Sequence, residues 1–316
     1  MRRLATGALL CLFSAITPFA FGQALTLRDI SLKGTHNSYH KKPFVSVDES
    51  FDYGHPPLKK QLDLGIRGFE IDLHQNVFKR FSVFHLAVID GRTHCFRFSS
   101  CLKQLSEWSS DNPDHLPILV TIEIKEGAGG KREVTDFKHM ETPIRDIIGD
   151  RLVTPDDVQG DFSSLKEAVA EDGWPALDAL RGKFLFFMIG QDAPRMRYTR
   201  GFNSLKGRAM FVVARGMEWS SPWAVATKID NPMATTAILT AHQRNLLIFT
   251  NGCRRVDTES TCHLKLEAAI ANGVHAIHDD FVQAKGDRNY KIEFPNGKHA
   301  ICNRITSGLN NCELDL

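Results

Sequence analysis

Short apolar, β-prone runs recur along the chain at 27–34, 66–73, 81–87, 117–125, 183–189, 209–214, 245–250 and 274–281, and they predict eight strands. Helical spacing fills most of the gaps. Pro56 and Pro57 open a helix whose stripe is Leu58, Leu62 and Leu64 and whose stop is Gly65. Leu102, Leu105 and Trp108 mark a second helix, ended by Asn112 and Pro113. After a turn at 127–130, Val134, Phe137, Ile144, Ile147 and Ile148 mark a third before Gly149, with Pro143 as a kink. Ser164 with Glu167 reads as a capping box, and 175–181 as another short helix. Two more helices follow Asn231-Pro232 and run over 262–272 to Gly273.

Strands alternating with helices predict an α/β fold, a TIM-type (β/α)8 barrel, regular or distorted, in one domain. No linker, low-complexity tract or repeat divides the chain. An open doubly wound sheet is the competing architecture, but no glycine-rich phosphate loop follows the first strand.

The composition is that of a globular protein, with 42% hydrophobic and 24% charged residues among 316. The first residues are of another kind. Arg2 and Arg3 precede a mostly apolar run over 4–20 and the small residues Ala20, Gly22 and Ala24, a secretory signal with cleavage expected after 22 or 24. The catalytic barrel is then 23–316, and the expected location secreted or periplasmic. Removing Arg2 and Arg3 from the 39 basic residues leaves 37, equal to the 37 acidic ones, so bulk charge gives no reason to expect a nucleic-acid partner. Cys11 leaves with the signal. The other six cysteines, by local spacing, predict bridges Cys95–Cys101, Cys253–Cys262 and Cys302–Cys312, and no Cys-x-x-Cys pair points to zinc.

Four apolar runs end in polar residues that would be costly to bury alone. They are Gly34-Thr35-His36-Asn37-Ser38-Tyr39, Glu70-Ile71-Asp72, Val83-Phe84-His85 and Ile122-Glu123-Ile124-Lys125. Residues two apart in a strand share a face, so Glu70 pairs with Asp72 and Glu123 with Lys125 at the carboxyl ends, where barrel enzymes place their chemistry. Asn37, Glu70, Asp72 and Glu123 form a hard oxygen set suited to calcium or magnesium rather than zinc. His36 and His85 can move protons in a phosphoryl displacement, and Lys125 and Arg215 can neutralise a phosphate. Each has a plainer reading: a histidine at a strand end is often structural, and alternating acids often form a solvated face. His74, His278, Asp279 and Asp280 are expected to support rather than react.

These motifs resemble the catalytic X region of phosphoinositide-specific phospholipase C, most closely its secreted bacterial calcium-dependent branch, over about residues 30–125. The resemblance implies a TIM-type barrel with calcium, rather than magnesium, held by Asn37, Glu70, Asp72 and Glu123. It implies attack of the inositol 2-hydroxyl on the phosphodiester, releasing diacylglycerol and a cyclic inositol phosphate. His36 and His85 match the family histidines. His36 is expected to protonate the leaving oxygen and His85 to act as base or to support the phosphorane charge. The expected partner is a phosphoinositide or related phosphodiester lipid, met by a monomer in peripheral contact with a membrane. Residues 40–57, with Phe44, Phe51 and Tyr53, either face that membrane or pack under their loop. The alternatives are a glycerophosphodiester phosphodiesterase, whose first-strand motif is His-Arg-Gly rather than His36-Asn37-Ser38, and a barrel that binds lipid headgroups without turnover.

Overall fold

The computed structural model describes residues 24–126, 132–284, 288–308 and 314. The signal segment, the turn at 127–130 and Cys312, the expected partner of Cys302, therefore lie outside the described residues.

Among the described residues, eleven strands form one sheet: β1 (Ile30–Thr35), β2 (Gly68–Gln75), β3 (Phe81–Val83), β4 (Ile118–Ile124), β5 (Leu152–Val153), β6 (Phe184–Ile189), β7 (Phe211–Val212), β8 (Ala226–Lys228), β9 (Leu247–Asn251), β10 (Ala276–Asp279) and β11 (Ala300–Cys302). Eight of them run parallel in a ring, β1-β2-β4-β6-β7-β8-β9-β10 and back to β1. The β7–β8 seam is closed by the bridge from Ala214 to Thr227, with Ala214 N donating to Ala226 O at 2.8 Å. The other three strands stand outside the ring: β3 and β11 pair antiparallel with β2 and β1, and β5 lies beside the first residues of β6.

The barrel is as expected, but its strand count is reached by another route. The run at 81–87 gives only β3, which folds back on β2 with Leu73 opposite Val83 and extends a hairpin from the carboxyl end of β2. The eighth ring strand is instead β8, three residues long and too short to show a periodicity. Residues 27–29 form a 3-10 turn rather than strand because the Thr26 and Asp29 side chains cap one another's backbone. Val134 and Phe137 precede the third helix, which is Lys138–Ile148 with Pro143 inside it. Ser164 caps Leu165–Glu171 by accepting from Glu167 N, but the Glu167 carboxylate accepts from the Ser163 hydroxyl rather than completing the expected box, and 175–181 shortens to a 3-10 turn at Leu177–Leu180.

Ring strands are buried on both faces, which is why β6 reads Phe-Leu-Phe-Phe-Met-Ile without alternation. Phe187 packs against Phe211 and Phe249 with ring centroids 5.2 and 5.0 Å apart. Gly34 and Gly68 are register partners, and a Cβ on Gly34 would lie 2.4 Å from the His278 ring. The missing side chains make room for that imidazole, which reaches Glu70. Two bridges form as expected, Cys95–Cys101 and Cys253–Cys262. No helix among the described residues is long and apolar enough to cross a membrane.

Away from the ring mouth, buried His115 is fixed in one neutral tautomer: its Nδ1–H donates to Leu116 O at 2.6 Å and its Nε2 accepts from the Ser109 hydroxyl at 2.7 Å. Burial pushes its pKa down to about 4, against the opposing pull of the Leu116 carbonyl. The unfolded chain, with an ordinary histidine pKa, binds this proton first, so stability is complete above pH 6.5 and falls as pH drops toward 4. Urea unfolding at pH 7 and pH 4.5 is expected to differ by up to about 3 kcal/mol through this group. His115→Gln is expected to flatten that difference, and an unchanged pH slope in the variant would refute the assignment.

Candidate active site

The first loop leaves β1 through His36 and through Asn37, which takes a left-handed conformation (φ 46°) that asparagine tolerates better than most residues. Ser38 ties this turn to the next ring strand: its N–H donates to Glu70 O at 2.9 Å and its hydroxyl oxygen accepts from Glu70 N at 2.8 Å. Gln61 donates to Ser38 O at 2.7 Å and to Pro56 O at 2.8 Å, fixing the loop's return. His36 and Glu70 thereby meet, with Nε2 3.6 Å from Oε1.

Three carboxylates gather beside them. Oxygens of Glu70, Asp72 and Glu123 lie within 4.8 Å of one another, from adjacent strands β2 and β4. Lys125 spans two of them, its Nζ 3.2 Å from Asp72 and 2.8 Å from Glu123. Asp72 is fully buried, and neither of its oxygens has a well-directed hydrogen bond. The ammonium is near enough for charge but poorly aligned, so the carboxylate keeps coordination capacity for a cation. Burial drives the Asp72 pKa up to about 7, and Lys125 only partly opposes it. Glu70 differs: burial pushes it up, but Lys228, His36 and His278 together override that and hold it well below the usual carboxylate range. Gly190, at φ 91°, leaves space for Glu123, whose Cγ would lie 2.5 Å from an added Cβ.

Asn37 joins this group through tyrosines. Its Oδ1 accepts from Tyr39 OH at 3.2 Å and its Nδ2 donates to Tyr53 OH at 3.1 Å. Burial, then the Asp72 charge, raise the Tyr39 pKa well above normal, which keeps that hydroxyl protonated as a donor.

Both histidines rest on buried carboxylates that sequence reading did not pair with them. His36 Nδ1 lies 2.8 Å from Asp280 Oδ1, and His85 Nδ1 2.7 Å from Asp90 Oδ2. Anchoring Nδ1 leaves Nε2 on each ring as the nitrogen that can exchange a proton with a substrate. Asp90 also accepts from buried His40 at 2.6 Å through its other oxygen. Its pKa is raised by burial but lowered more by the two imidazoles. Asp280 is similarly pushed up by burial and pulled down by Arg254 and His36, to a net lowering. Tyr53 links the two systems, its hydroxyl 3.2 Å from His36 Nδ1 and its ring stacked 4.5 Å from His40.

Lys228 is a further cation that escaped prediction, 3.2 Å from Glu70 Oε2. It sits on β8, the strand with no readable pattern. Arg215 is half exposed and held by Asp192 at 2.7 Å and by Gly190 O. With Glu123, Lys228 and Asp230 it lines a polar cleft of about 200 Å³. His74 stacks on Phe84 and donates to its carbonyl. The 40–57 loop divides: Tyr53 is buried and Phe51 meets the His85 ring edge-on, whereas Phe44 is 88% exposed.

A family model for "Phosphoinositide phospholipase C, Ca2+-dependent" matches residues 78–304. The chain belongs to this family. The match takes in His85, Glu123, Lys125 and the second half of the barrel, and it begins beyond His36, Asn37, Glu70 and Asp72, whose place at the mouth rests on the geometry above. No curated protein matches the chain by sequence. Among solved structures, the Ca2+-dependent phosphatidylinositol-specific phospholipase C of Streptomyces antibioticus is 22% identical at a TM-score of 0.61, covering 81% of this chain and 95% of its own. The Ca2+-dependent phosphoinositol-specific phospholipase C of a Pseudomonas species, in a structure described as a myo-inositol complex, is 15% identical at 0.63, covering 90% and 97%. A phosphatidylinositol-specific phospholipase C of Staphylococcus aureus is 12% identical at 0.53, covering 84% and 91%. At these identities the likeness establishes the barrel fold shared with phospholipase C enzymes.

Asp90→Asn and Asp280→Asn each replace an anchoring acceptor by a group of the same shape. Each is expected to lower the kcat of phosphoinositide cleavage by about 10²-fold or more with little change in KM, because orientation of the proton-exchanging ring is lost while binding is kept. Steady-state kinetics with circular dichroism as the fold control checks this, and unchanged kcat in either variant would remove that carboxylate from the site.

Proposed function

We propose that the protein is a secreted calcium-dependent phosphodiesterase that cleaves phosphatidylinositol to diacylglycerol and inositol 1,2-cyclic phosphate. The reading takes residues 1–22 as a signal peptide and 23–316 as the catalytic barrel, acting as a monomer outside the cytoplasm or in the periplasm. The observation that carries it is the pair of imidazoles, each with Nδ1 on a buried carboxylate, beside three carboxylates that share one small volume. Family membership and the disulfides support it, as does the inositol ligand of the Pseudomonas relative.

Asn37, Glu70, Asp72 and Glu123 would hold calcium, and the under-bonded Asp72 carboxylate fits that use. Calcium bound there supplies a Lewis acid that stabilises phosphate charge and lowers the pKa of the inositol hydroxyl. In the reaction, the inositol 2-hydroxyl oxygen bonds to phosphorus as His85 Nε2 takes its proton. The bond from phosphorus to the glycerol oxygen breaks as protonated His36 gives that oxygen its Nε2 proton. Proton exchange with solvent, or ring opening by water in the reverse sense, restores both rings. Lys125, Lys228 and Arg215 offset the charge of phosphate and acids.

Membrane contact is supported by the rim. Phe44, Val45, Val47, Val77, Phe78 and Val88 are exposed in loops that follow β1, β2 and β3. Val88 is fully exposed and, although β-branched, has φ 74°, a costly conformation for an apolar residue that meets only water.

With calcium, phosphorus NMR is expected to identify the cyclic phosphate as the first product from phosphatidylinositol, and a chelator is expected to abolish turnover. His36→Ala and His85→Ala should each lower turnover by about 10³-fold or more with thermal unfolding unchanged, and Glu70→Gln should shift the calcium requirement upward. Full activity in chelator, near-normal turnover in either histidine variant, or cleavage confined to glycerophosphoinositol would overturn the reading.

A further inference from the structure

We propose that Lys125 is a built-in competitor for calcium: its ammonium holds two of the carboxylates that would bind the ion, and so sets how much calcium the site requires. This rests on the calcium assignment above. Lys125 Nζ lies 3.2 Å from Asp72 and 2.8 Å from Glu123. Oxygens of these two carboxylates and of Glu70 all lie within 4.8 Å of one another. Both ion-pair partners of Lys125 are therefore among the expected calcium ligands. The second lysine at the mouth is divided differently. Lys228 Nζ lies 3.2 Å from Glu70 and 3.9 Å from Asp230, an exposed acid outside the expected ligand set.

Carboxylate oxygens approach calcium to about 2.3–2.6 Å. An ammonium beside the same carboxylates works against that approach in two ways. It cancels part of the charge that draws the ion in, and it repels a divalent ion twice as strongly as a monovalent one. Two lysines set against three carboxylates leave one net negative charge on these five side chains, and removing Lys125 doubles it. Calcium affinity follows the charge count of the site, and the weakest sites, on the order of 10⁻⁴–10⁻³ M, are those of extracellular modules. A site opposed by its own lysine belongs with these, in keeping with a secreted enzyme.

The surroundings let the ammonium leave. Lys125 directly follows β4, and its N–H donates to Leu73 O at 3.0 Å, so its backbone is fixed by the ladder. The ammonium ends a flexible four-carbon stem and is one-fifth exposed. Swinging it out breaks two ion pairs and no backbone bond. The same pairs supply a counter-charge when calcium is scarce, because Asp72 has no well-directed hydrogen bond to offset its burial. Lys125 thus lowers calcium affinity and stabilises the calcium-free protein.

Isothermal titration calorimetry of calcium into the lipid-free protein, with thermal unfolding in chelator, tests this without turnover. Lys125→Met is expected to bind calcium about 10-fold or more tightly than wild type and to melt lower in chelator. Lys228→Met is expected to tighten calcium by less, because its ammonium is shared with Asp230. Lys125→Arg keeps the charge and forks toward both carboxylates, and is expected to bind calcium no more tightly than wild type. Unchanged or weaker affinity in Lys125→Met overturns the competition, as does equal tightening by Lys125→Arg. Equal tightening by Lys228→Met also overturns it, by assigning the effect to the total charge of the cluster. Calcium binding by none of the four proteins overturns the calcium assignment itself and the competition with it. Lys125→Gln repeats the neutral substitution should the methionine variant fail to fold.

Discussion

Three carboxylates crowded at the end of a dry barrel set the terms for everything around them. Like charges 4 Å apart repel by about 4 kcal/mol per pair at an effective dielectric near 20, and Glu70, Asp72 and Glu123 form three such pairs within 4.8 Å. The surrounding positions answer that charge. Lys125 bridges Asp72 and Glu123, while Lys228, His36 and His278 converge on Glu70. The glycine pair at Gly34 and Gly68 exists to let His278 through, and Gly190 to give Glu123 space. Asp72 is compensated in charge by Lys125 but left without a hydrogen bond on either oxygen, which makes it the group with most to gain from a divalent cation.

How far the sequence revealed this depends on how long each signal runs. The strands β1, β2 and β4 are long, apolar and interrupted or ended by polar residues, so both their existence and their reactive residues could be read, whereas β6 is uniformly apolar and showed only its existence. The ring strand β8 is three residues long, and Lys228 disappeared with it. The hairpin strand β3 shows the opposite error. Its apolar composition is that of a ring strand, but only pairing partners reveal that it folds back. The carboxylates behind the histidines were hidden for another reason. Asp90 lies in an irregular loop, and its partners His85 and His40 are five and fifty residues away. Asp280 was visible as a polar strand end, but the 244 residues between it and His36 conceal their contact. The local-spacing argument for disulfides succeeded where both cysteines are described, because loops closed by 6 and 9 residues leave few alternatives.

Asp90 shows how one carboxylate can organise a site without meeting a substrate. Its two oxygens serve two imidazoles, and a single negative charge offsets a single imidazolium. His40 is sealed from solvent and stacked on Tyr53, whereas the ring of His85 is partly exposed. The buried ring thereby orients the anion for the ring that faces the mouth.

The β7–β8 seam has a mechanical meaning. Every other junction in the ring is a ladder of at least two register pairs, whereas here one backbone bridge is reinforced by side chains: Thr227 Oγ1 donates to Ala214 O at 2.9 Å and accepts from Trp219 Nε1 at 2.9 Å. Local opening costs least where fewest backbone bonds must break together. Arg215 and Lys228 immediately follow the two halves of this junction. The wall of the polar cleft is thus hung on the ring junction with the fewest backbone bonds, and the ion pair from Lys228 to Glu70 ties that junction to the carboxylates on β2.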